Sequence, residues 1–314
     1  MYDKLIQEIE IFKKVIDDLR EKNPQSYLIF DYGKNGDTFI SLLLINSFKK
    51  VHIKDTDKKI TFIVAHKVKQ NIAMLFVETL DHIILDERMQ QVSYKAIRLW
   101  QALEGYRFEI GWPIFNHYAC YMLYPDWHLM GEKSLTFLEL TALGFEIPIS
   151  DIAPFVPKLS QFINDQGEKF CIDNQIKYKH SLILFPYAQS IKVNALKHFQ
   201  ALAEEMLKRG FSVFTSISGD EQEIPGTQGI FIPFELLQYV ASYAGMVISV
   251  RSGICDMLVT SNAKKIILYT DPRAIECWTV ESLKFSMENT KEIICNYFPG
   301  TESDFVNQSV SYLT

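Results

Sequence analysis

The sequence is poor in cysteine and lacks the short motifs that mark the commonest metal and dinucleotide sites. Its five cysteines, at positions 120, 171, 255, 277 and 295, are scattered and form no CxxC pair. This argues against a disulfide framework or a zinc site and favours reduced thiols. No GxGxxG fingerprint is present, which disfavours a dehydrogenase. No DxD triplet stands at the end of a strand, so we expect no metal ion at the site.

Long apolar runs and a surplus of positive charge are also missing. No apolar run approaches the roughly 20 residues that a membrane-spanning helix needs, and the polar N-terminus is unlike a signal peptide. We therefore expect a soluble, cytoplasmic protein. Lys and Arg number 32 against 38 Asp and Glu, a net charge of −6. A nucleic-acid binder usually carries a basic face, so we expect no nucleic-acid partner.

The chain is long enough for two domains. It has 314 residues, of which 48% are hydrophobic and 13% aromatic, enough apolar material for two cores. Residues 146–157 contain three prolines, at positions 148, 154 and 157, which forbid a continuous helix. We take this stretch as the linker and predict domains at residues 1–157 and 158–314.

Strands and helices alternate in both halves. In the first half, residues 27–32 predict a strand, residues 33–38 a glycine turn and residues 39–48 a helix. In the second half, a strand at 181–185 precedes a helix at 193–209. Such alternation indicates mainly parallel sheets. We predict an α/β protein with two Rossmann-like domains facing across a cleft, and leave open whether the last helix crosses back to the N-terminal domain.

The N-terminal segment predicts an amphipathic helix over residues 3–21. Its apolar stripe contains Leu5, Ile9, Phe12, Ile16 and Leu19. A stripe of this kind usually packs on its own domain. Contact with a second copy or with a membrane surface is the alternative, so peripheral association with the inner membrane face and the oligomeric state both stay open.

Two strand–loop–helix junctions in the second half are the strongest functional signal. They span Ser181–Lys192 and Met246–Asp256. In each, an apolar strand ends in hydroxyl residues beside one cation, Lys192 or Arg251, and a helix follows. Because helix N-termini and cations both attract phosphate, the pattern predicts a diphosphate-bearing ligand. An internal salt bridge of Arg251 with Asp256 or Glu235 is the alternative.

Other residues of these junctions are candidate ligand contacts. Ser190 either donates to the same phosphate or caps its helix. Ser252 and Gly253 would offer a hydroxyl and a backbone N–H at the mouth of the second helix. Asp256 either contacts the sugar or serves the helix dipole.

Three short motifs carry a resemblance to a known family. They are Gly36-Asp37 after the first strand, Leu184–Lys192, and Ile248–Asp256. Together they resemble the lipopolysaccharide heptosyltransferases, glycosyltransferase family 9, whose fold is of the GT-B type, over residues 26–272. The resemblance implies a nucleotide-diphosphate sugar as donor substrate, without a further cofactor, and a glycan or glycolipid acceptor bound by the N-terminal domain.

The resemblance also suggests individual roles. Asp37 would be the general base, with helix N-capping as the alternative. Glu235 would hold the ribose, and a first-turn helix acid is the alternative. Trp127, His128 and Glu132, in an aromatic loop, would bind the acceptor, unless they belong to an ordinary surface loop. Where the family usually has Asp before the Ser/Thr-Gly turn and His after it, this sequence has Arg251 and then Cys255 or Asp256.

The function expected from these residues is inverting, metal-independent sugar transfer in lipopolysaccharide or capsule biosynthesis, by a hexosyl- or heptosyltransferase-like enzyme. The departure at Arg251 leaves the donor sugar and its nucleotide base undefined. Two alternatives remain. One is a nucleotide-sugar epimerase or hydrolase, which turns over the donor without an acceptor. The other is a non-catalytic sugar-nucleotide-binding subunit, for which Asp37 would be dispensable.

Overall fold

The computed structural model describes most of the chain and divides it into two compact units. The described residues are 2–31, 33–53, 57–93, 95–97, 99–100, 112–114, 135–188, 195–270, 279–294 and 300–314. Unit 1 comprises Met1–Lys158 and unit 2 Leu159–Thr314. The division falls one residue from the predicted boundary.

Unit 1 is built on a four-stranded sheet in the order β3-β2-β1-β4, with every pair of neighbouring strands parallel. The order reverses between β1 and β4, as in the first half of a Rossmann fold. Its elements are α1 (Tyr2–Lys22), β1 (Ser26–Asp31), α2 (Asn35–Leu43), α3 (Ile45–His52), β2 (Lys59–Val64), α4 (Lys67–Met74), β3 (His82–Leu85), β4 (Trp112–Ile114) and α5 (Phe137–Gly144).

The apolar stripe of α1 belongs to the core of unit 1. Ile9, Phe12, Val15, Ile16 and Leu19 are all buried, and the Phe12 ring makes edge contacts with the rings of Phe30 and Trp100. The stripe therefore packs within its own unit, as predicted. No helix in the described part of the chain is both long and apolar enough to cross a membrane.

Unit 2 contains a six-stranded sheet in the order β10-β9-β8-β5-β6-β7, again parallel throughout. When its strands are renumbered from 1 to 6 along the chain and read from β7 to β10, this is the Rossmann order 3-2-1-4-5-6. The elements are α6 (Gln161–Asp173), β5 (Ser181–Phe185), α7 (Leu196–Lys208), β6 (Ser212–Ser216), β7 (Gln228–Ile230), α8 (Leu237–Ala244), β8 (Gly245–Val250), α9 (Gly253–Leu258), β9 (Lys264–Tyr269), β10 (Thr290–Ile294) and α10 (Glu302–Leu313).

The last helix packs on unit 2. Phe305, Val310 and Leu313 of α10 are buried in the same hydrophobic cluster as Phe199 of α7 and Leu268 of β9. The sequence left open whether this helix crosses back to the N-terminal domain; in the structure its buried apolar side chains belong to the core of unit 2. The physical reason is that these apolar side chains cover one face of the unit 2 sheet, where their burial is favourable.

Helix α6 was not predicted, because Gly167 interrupts its pattern. In the structure Gly167 permits a close approach of α6 to α8: a Cβ at this position would lie 2.4 Å from Tyr239 Cδ1. Strand β10 was also missed. It pairs with β9 on one side only, and its polar Lys291 and Glu292 hide the apolar pattern of a strand.

Candidate functional site

The two predicted junctions of unit 2 lie side by side. Strands β5 and β8 pair directly and in parallel, with Phe185 opposite Ser249, so the loops that follow them begin at the same edge of the sheet. This is also where the strand order reverses, the usual position of a ligand in an open α/β sheet. Lys192 and Ser190 fall outside the described residues, and their contact with a phosphate stays a prediction.

Arg251 forms a buried ion pair with Asp256. Its Nη2 donates to Oδ1 at 2.7 Å and its Nη1 to Oδ2 at 3.2 Å, and the two side chains are 8% and 5% exposed. Nη1 also donates to the Ser252 carbonyl at 2.6 Å. The internal salt bridge that the sequence left open is therefore formed. A contact of Arg251 or Asp256 with a ligand would have to share these same polar groups.

The ion pair keeps Arg251 charged despite its burial. Burial is the largest single influence on the pKa of Arg251 and disfavours the charged guanidinium. The carboxylate of Asp256, with smaller contributions from Cys255 and Tyr269, nevertheless raises this pKa above its usual value. Next to it, the Cys255 thiol donates to Ser249 Oγ at 3.2 Å and to the Val250 carbonyl at 3.3 Å. Burial raises the pKa of this thiol, so Cys255 is suited to packing and not to nucleophilic chemistry.

Two buried hydroxyl groups that follow the neighbouring strands β8 and β9 have no hydrogen-bond partner among the described residues: Ser252 Oγ and Thr270 Oγ1. Ser252 is the N-cap residue of α9, yet its hydroxyl makes no capping hydrogen bond. Because Val250 lies opposite Leu268, both hydroxyls follow the carboxyl ends of neighbouring strands. A buried hydroxyl without a partner costs about 1–3 kcal/mol, which a polar ligand at this edge would recover.

Sequence reasoning selected Ser252 and missed Thr270. The sequence did contain a signal for Thr270, because this hydroxyl residue directly follows the apolar strand β9. Ser252 occupies a similar position, one residue further from the end of β8. Gly253 begins α9, as predicted, and the helix ends at Leu258 after only six residues. So short a helix has only a small dipole. The junction would therefore bind an anion mainly through its hydroxyl and backbone N–H groups.

Glu235 follows a different strand from the ion pair. It occupies a short 3-10 turn, Phe234–Leu236, between β7 and α8. Strand β7 is three places from β8 in the sheet, which corresponds to about 14 Å at the usual spacing of strands. Of the two salt-bridge partners that the sequence left open for Arg251, the structure shows Asp256. A contact of Glu235 with a ribose stays a prediction.

Asp37 lies at the start of α2, after the carboxyl end of β1. The helix begins at Asn35 with Lys34 as N-cap, and Asp37 is the third helical residue. Its Oδ2 accepts a hydrogen bond from the Lys34 N–H at 2.8 Å. The predicted alternative, Asp37 as the N-cap residue, is wrong in position: Asp37 lies inside the helix, and its carboxylate accepts the N–H of the N-cap residue Lys34.

Asp37 is half-buried and follows the strand at which the order of the unit 1 sheet reverses. This is the location that α/β sheets offer to ligands. The predicted acceptor residues Trp127, His128 and Glu132 lie outside the described residues. Among the residues that the structure does describe, no three His, Cys, Asp or Glu side chains are grouped so as to hold a metal ion.

A second acid near Asp37, Asp31, was missed by the sequence analysis. It is the last residue of β1, and its side chain is fully buried beside Lys69 of α4. Oδ1 accepts from the Gly33 N–H at 2.9 Å, and Oδ2 accepts from the Thr38 hydroxyl. The signal that singled out Arg251, a charged side chain at the carboxyl end of an apolar strand, also applies to Asp31.

The fold is that of the GT-B glycosyltransferases. No protein-family model matches the sequence, and no curated protein matches it significantly. Solved structures are similar over 92% of this chain: a family 9 glycosyl transferase from Veillonella parvula (10% identity, TM-score 0.61, 97% of that chain) and the ADP-heptose lipopolysaccharide heptosyltransferase II of E. coli (13% identity, TM-score 0.63, 98% of that chain).

A third similar structure is the E. coli heptosyltransferase WaaC with ADP-2-deoxy-2-fluoro heptose, at 12% identity and a TM-score of 0.53 over 91% of this chain and 99% of that one. The likeness confirms the predicted fold class, two Rossmann-like domains, and the resemblance to glycosyltransferase family 9 at the level of the fold.

Proposed function

We propose that the protein is a glycosyltransferase that moves a sugar from a nucleotide-diphosphate donor to a surface-glycan acceptor, in lipopolysaccharide or capsule biosynthesis. The observation that carries the proposal is the pair of loops after β5 and β8, which begin side by side at the switch point of unit 2. The buried hydroxyls of Ser252 and Thr270 at that edge support a polar ligand.

In this proposal, unit 2 binds the donor. Ser252, Thr270, the Gly253 backbone and Lys192 receive the diphosphate, and Lys192 offsets the negative charge that grows on it as the sugar leaves. Positive charge from side chains takes the place of a divalent ion. Glu235 follows β7, a strand about 14 Å from β8 along the sheet, and contacts the ribose at the nucleoside end of an extended ligand.

Unit 1 supplies the base. Asp37 accepts the proton of the acceptor hydroxyl while that oxygen attacks the anomeric carbon. The bond between the anomeric carbon and the phosphate oxygen breaks, and the nucleoside diphosphate leaves with the electron pair. Attack from the face opposite the leaving group inverts the anomeric configuration.

A thermal-shift panel of nucleoside diphosphates and nucleotide sugars tests the donor site. A ligand at 100 times its Kd stabilises the native state by about 2.7 kcal/mol, so at least one member should raise the unfolding temperature. Ser252→Ala should weaken that response and should slightly stabilise the unliganded protein, because it removes a buried hydroxyl that has no partner among the described residues. Ser242→Ala is the matched control. Ser242 lies in α8, and its Oγ accepts a hydrogen bond from the Asn262 N–H. The unfolding temperature of this variant should rise with nucleotide as much as that of the wild type.

Asp37→Asn tests the chemistry once a donor is known. It should still be stabilised by the nucleotide sugar and should lose transfer by at least two orders of magnitude, the scale of a general base. EDTA should not affect transfer. Donor consumption without an acceptor would instead indicate an epimerase or hydrolase. Binding without turnover, unaffected by Asp37→Asn, would indicate a non-catalytic subunit.

A further inference from the structure

Two charged side chains, Asp31 and Lys69, are buried in unit 1 and lie next to the segment that carries Asp37. This segment, called the Gly33–Thr38 loop, consists of the end of the β1–α2 connection and the first turn of α2. Lys69 Nζ is 3.5 Å from Asp31 Oδ2, and the side chains are 9% and 0% exposed. They come from different elements, α4 and the end of β1. We refer to them as the Asp31–Lys69 pair.

A pair of this kind is a poor way to gain stability. Removing both charges from water costs several kcal/mol each, and apolar residues of similar volume often stabilise a protein as well or better. The exposed pair Lys50–Asp151 in the same unit has the same N–O distance, 3.5 Å, with side chains 73% and 37% exposed. The burial of Asp31 and Lys69 therefore calls for a reason other than stability.

The contacts of Asp31 supply that reason. One carboxylate oxygen accepts the Gly33 N–H at 2.9 Å, and the other accepts the Thr38 hydroxyl. Gly33 and Thr38 lie on either side of Asp37 in the chain, so a single carboxylate fixes both ends of the loop. An ionised carboxylate can accept on both oxygens, and the charge of Lys69 offsets the cost of keeping it ionised inside the protein.

The loop held in this way leaves little room for movement of Asp37. A Cβ on Gly33 would lie 2.7 Å from Asp37 Cβ, so the two residues are packed as closely as a glycine allows. The Lys34 N–H donates to Asp37 Oδ2 at 2.8 Å. The position of the Asp37 carboxylate therefore depends on where Gly33 and Lys34 are held.

We propose that the Asp31–Lys69 pair is a positioning device that holds the Gly33–Thr38 loop and so places Asp37 for proton transfer. The inference rests on the proposed role of Asp37 as the base. Asp31 itself cannot take that role, because its side chain is fully buried. It acts through the loop, and neither member of the pair touches substrate.

The test uses the double variant Asp31→Asn/Lys69→Met in the full chain, which removes both charges and keeps the approximate volumes. It should unfold at a temperature close to the wild type, because no buried charge is left unpaired. The Gly33 and Lys34 amides, measured by NMR hydrogen exchange, should exchange at least tenfold faster. With the donor from the thermal-shift panel, kcat should fall at least tenfold at unchanged donor KM, since small misplacement of a catalytic group costs up to about 100-fold.

Lys50→Met is the matched control. It breaks the exposed pair of equal length and should leave both amide exchange and kcat unchanged. If the double variant does not fold, Thr38→Val replaces it: this variant removes only the contact of Asp31 to the helix side of the loop and should also accelerate exchange of the Gly33 amide.

Wild-type exchange of Gly33 and Lys34 in the double variant would overturn the proposal, and so would fast exchange combined with wild-type kcat. Failure of the proposed function gives a different result. In that case the wild type transfers no sugar from any donor, while the exchange measurements still report whether the pair holds the loop.

Discussion

Separating Arg251 from Asp256 should strongly destabilise unit 2. Asp256→Leu would leave the guanidinium buried, with Nη2 losing its acceptor at 2.7 Å and Nη1 losing one at 3.2 Å. Removing one partner of a buried ion pair costs about 3–5 kcal/mol. That is a large share of the 5–15 kcal/mol that holds a typical domain folded.

The double variant Arg251→Met/Asp256→Leu should recover most of this loss, because the unpaired charge is gone. A pair in unit 2 with the same shortest N–O distance provides the control: Arg209 and Glu205 are 2.7 Å apart, with side chains 47% and 32% exposed. Glu205→Gln should cost no more than about 0.5 kcal/mol, since solvent screens an exposed helix pair.

The assay is urea unfolding of the full chain followed by far-UV circular dichroism, analysed as two transitions, one for each unit. With an m value of about 2 kcal/mol/M, a loss of 3–5 kcal/mol lowers a midpoint by roughly 1.5–2.5 M. A shift of Asp256→Leu as small as that of Glu205→Gln would refute the reasoning. The nucleotide response of the double variant then tests separately whether Arg251 also contacts a ligand.

Three further predictions concern single residues. Gly167→Ala should destabilise unit 2 by about 1–3 kcal/mol in urea unfolding, because its Cβ would overlap the Tyr239 side chain; an unchanged midpoint would contradict the close approach. Burial, aided by the charge of Lys179, lowers the pKa of Lys265 to about 8, so the unfolded state binds more protons and stability should rise from about pH 8 to 10.5, a rise that Lys265→Met should lack. Burial raises the pKa of Cys171 to about 12, so N-ethylmaleimide at pH 8 should label it, by peptide mapping, only at the rate of unfolding.

Strands in both units, though not β10, could be placed from local sequence. The predicted strand at 27–32 overlaps β1 (Ser26–Asp31), and that at 181–185 is β5. Apolar runs bounded by turn residues are a local property, and their alternation with helices requires parallel neighbours. The adjacency of the two junctions in unit 2 followed from the same logic, because parallel strands end at one edge.

Contacts between side chains far apart in the chain could not be predicted from the sequence. Nothing local to Asp31 indicates that Lys69 ends beside it; that depends on β1 and β2 being neighbours and on the rotation of α4 about its axis. The packing of α10 on unit 2 and the close approach of Gly167 to Tyr239 have the same origin.

The sequence by itself determined the two Rossmann-like halves, the switch-point loops and the candidate base Asp37. Only the tertiary structure decided which partner Arg251 takes, which hydroxyls stay without a partner among the described residues, and which buried charges hold the Asp37 loop. The physical reason is that apolar periodicity specifies strands and helices locally. The pairing of a buried charge depends on what the packed elements bring within hydrogen-bonding distance.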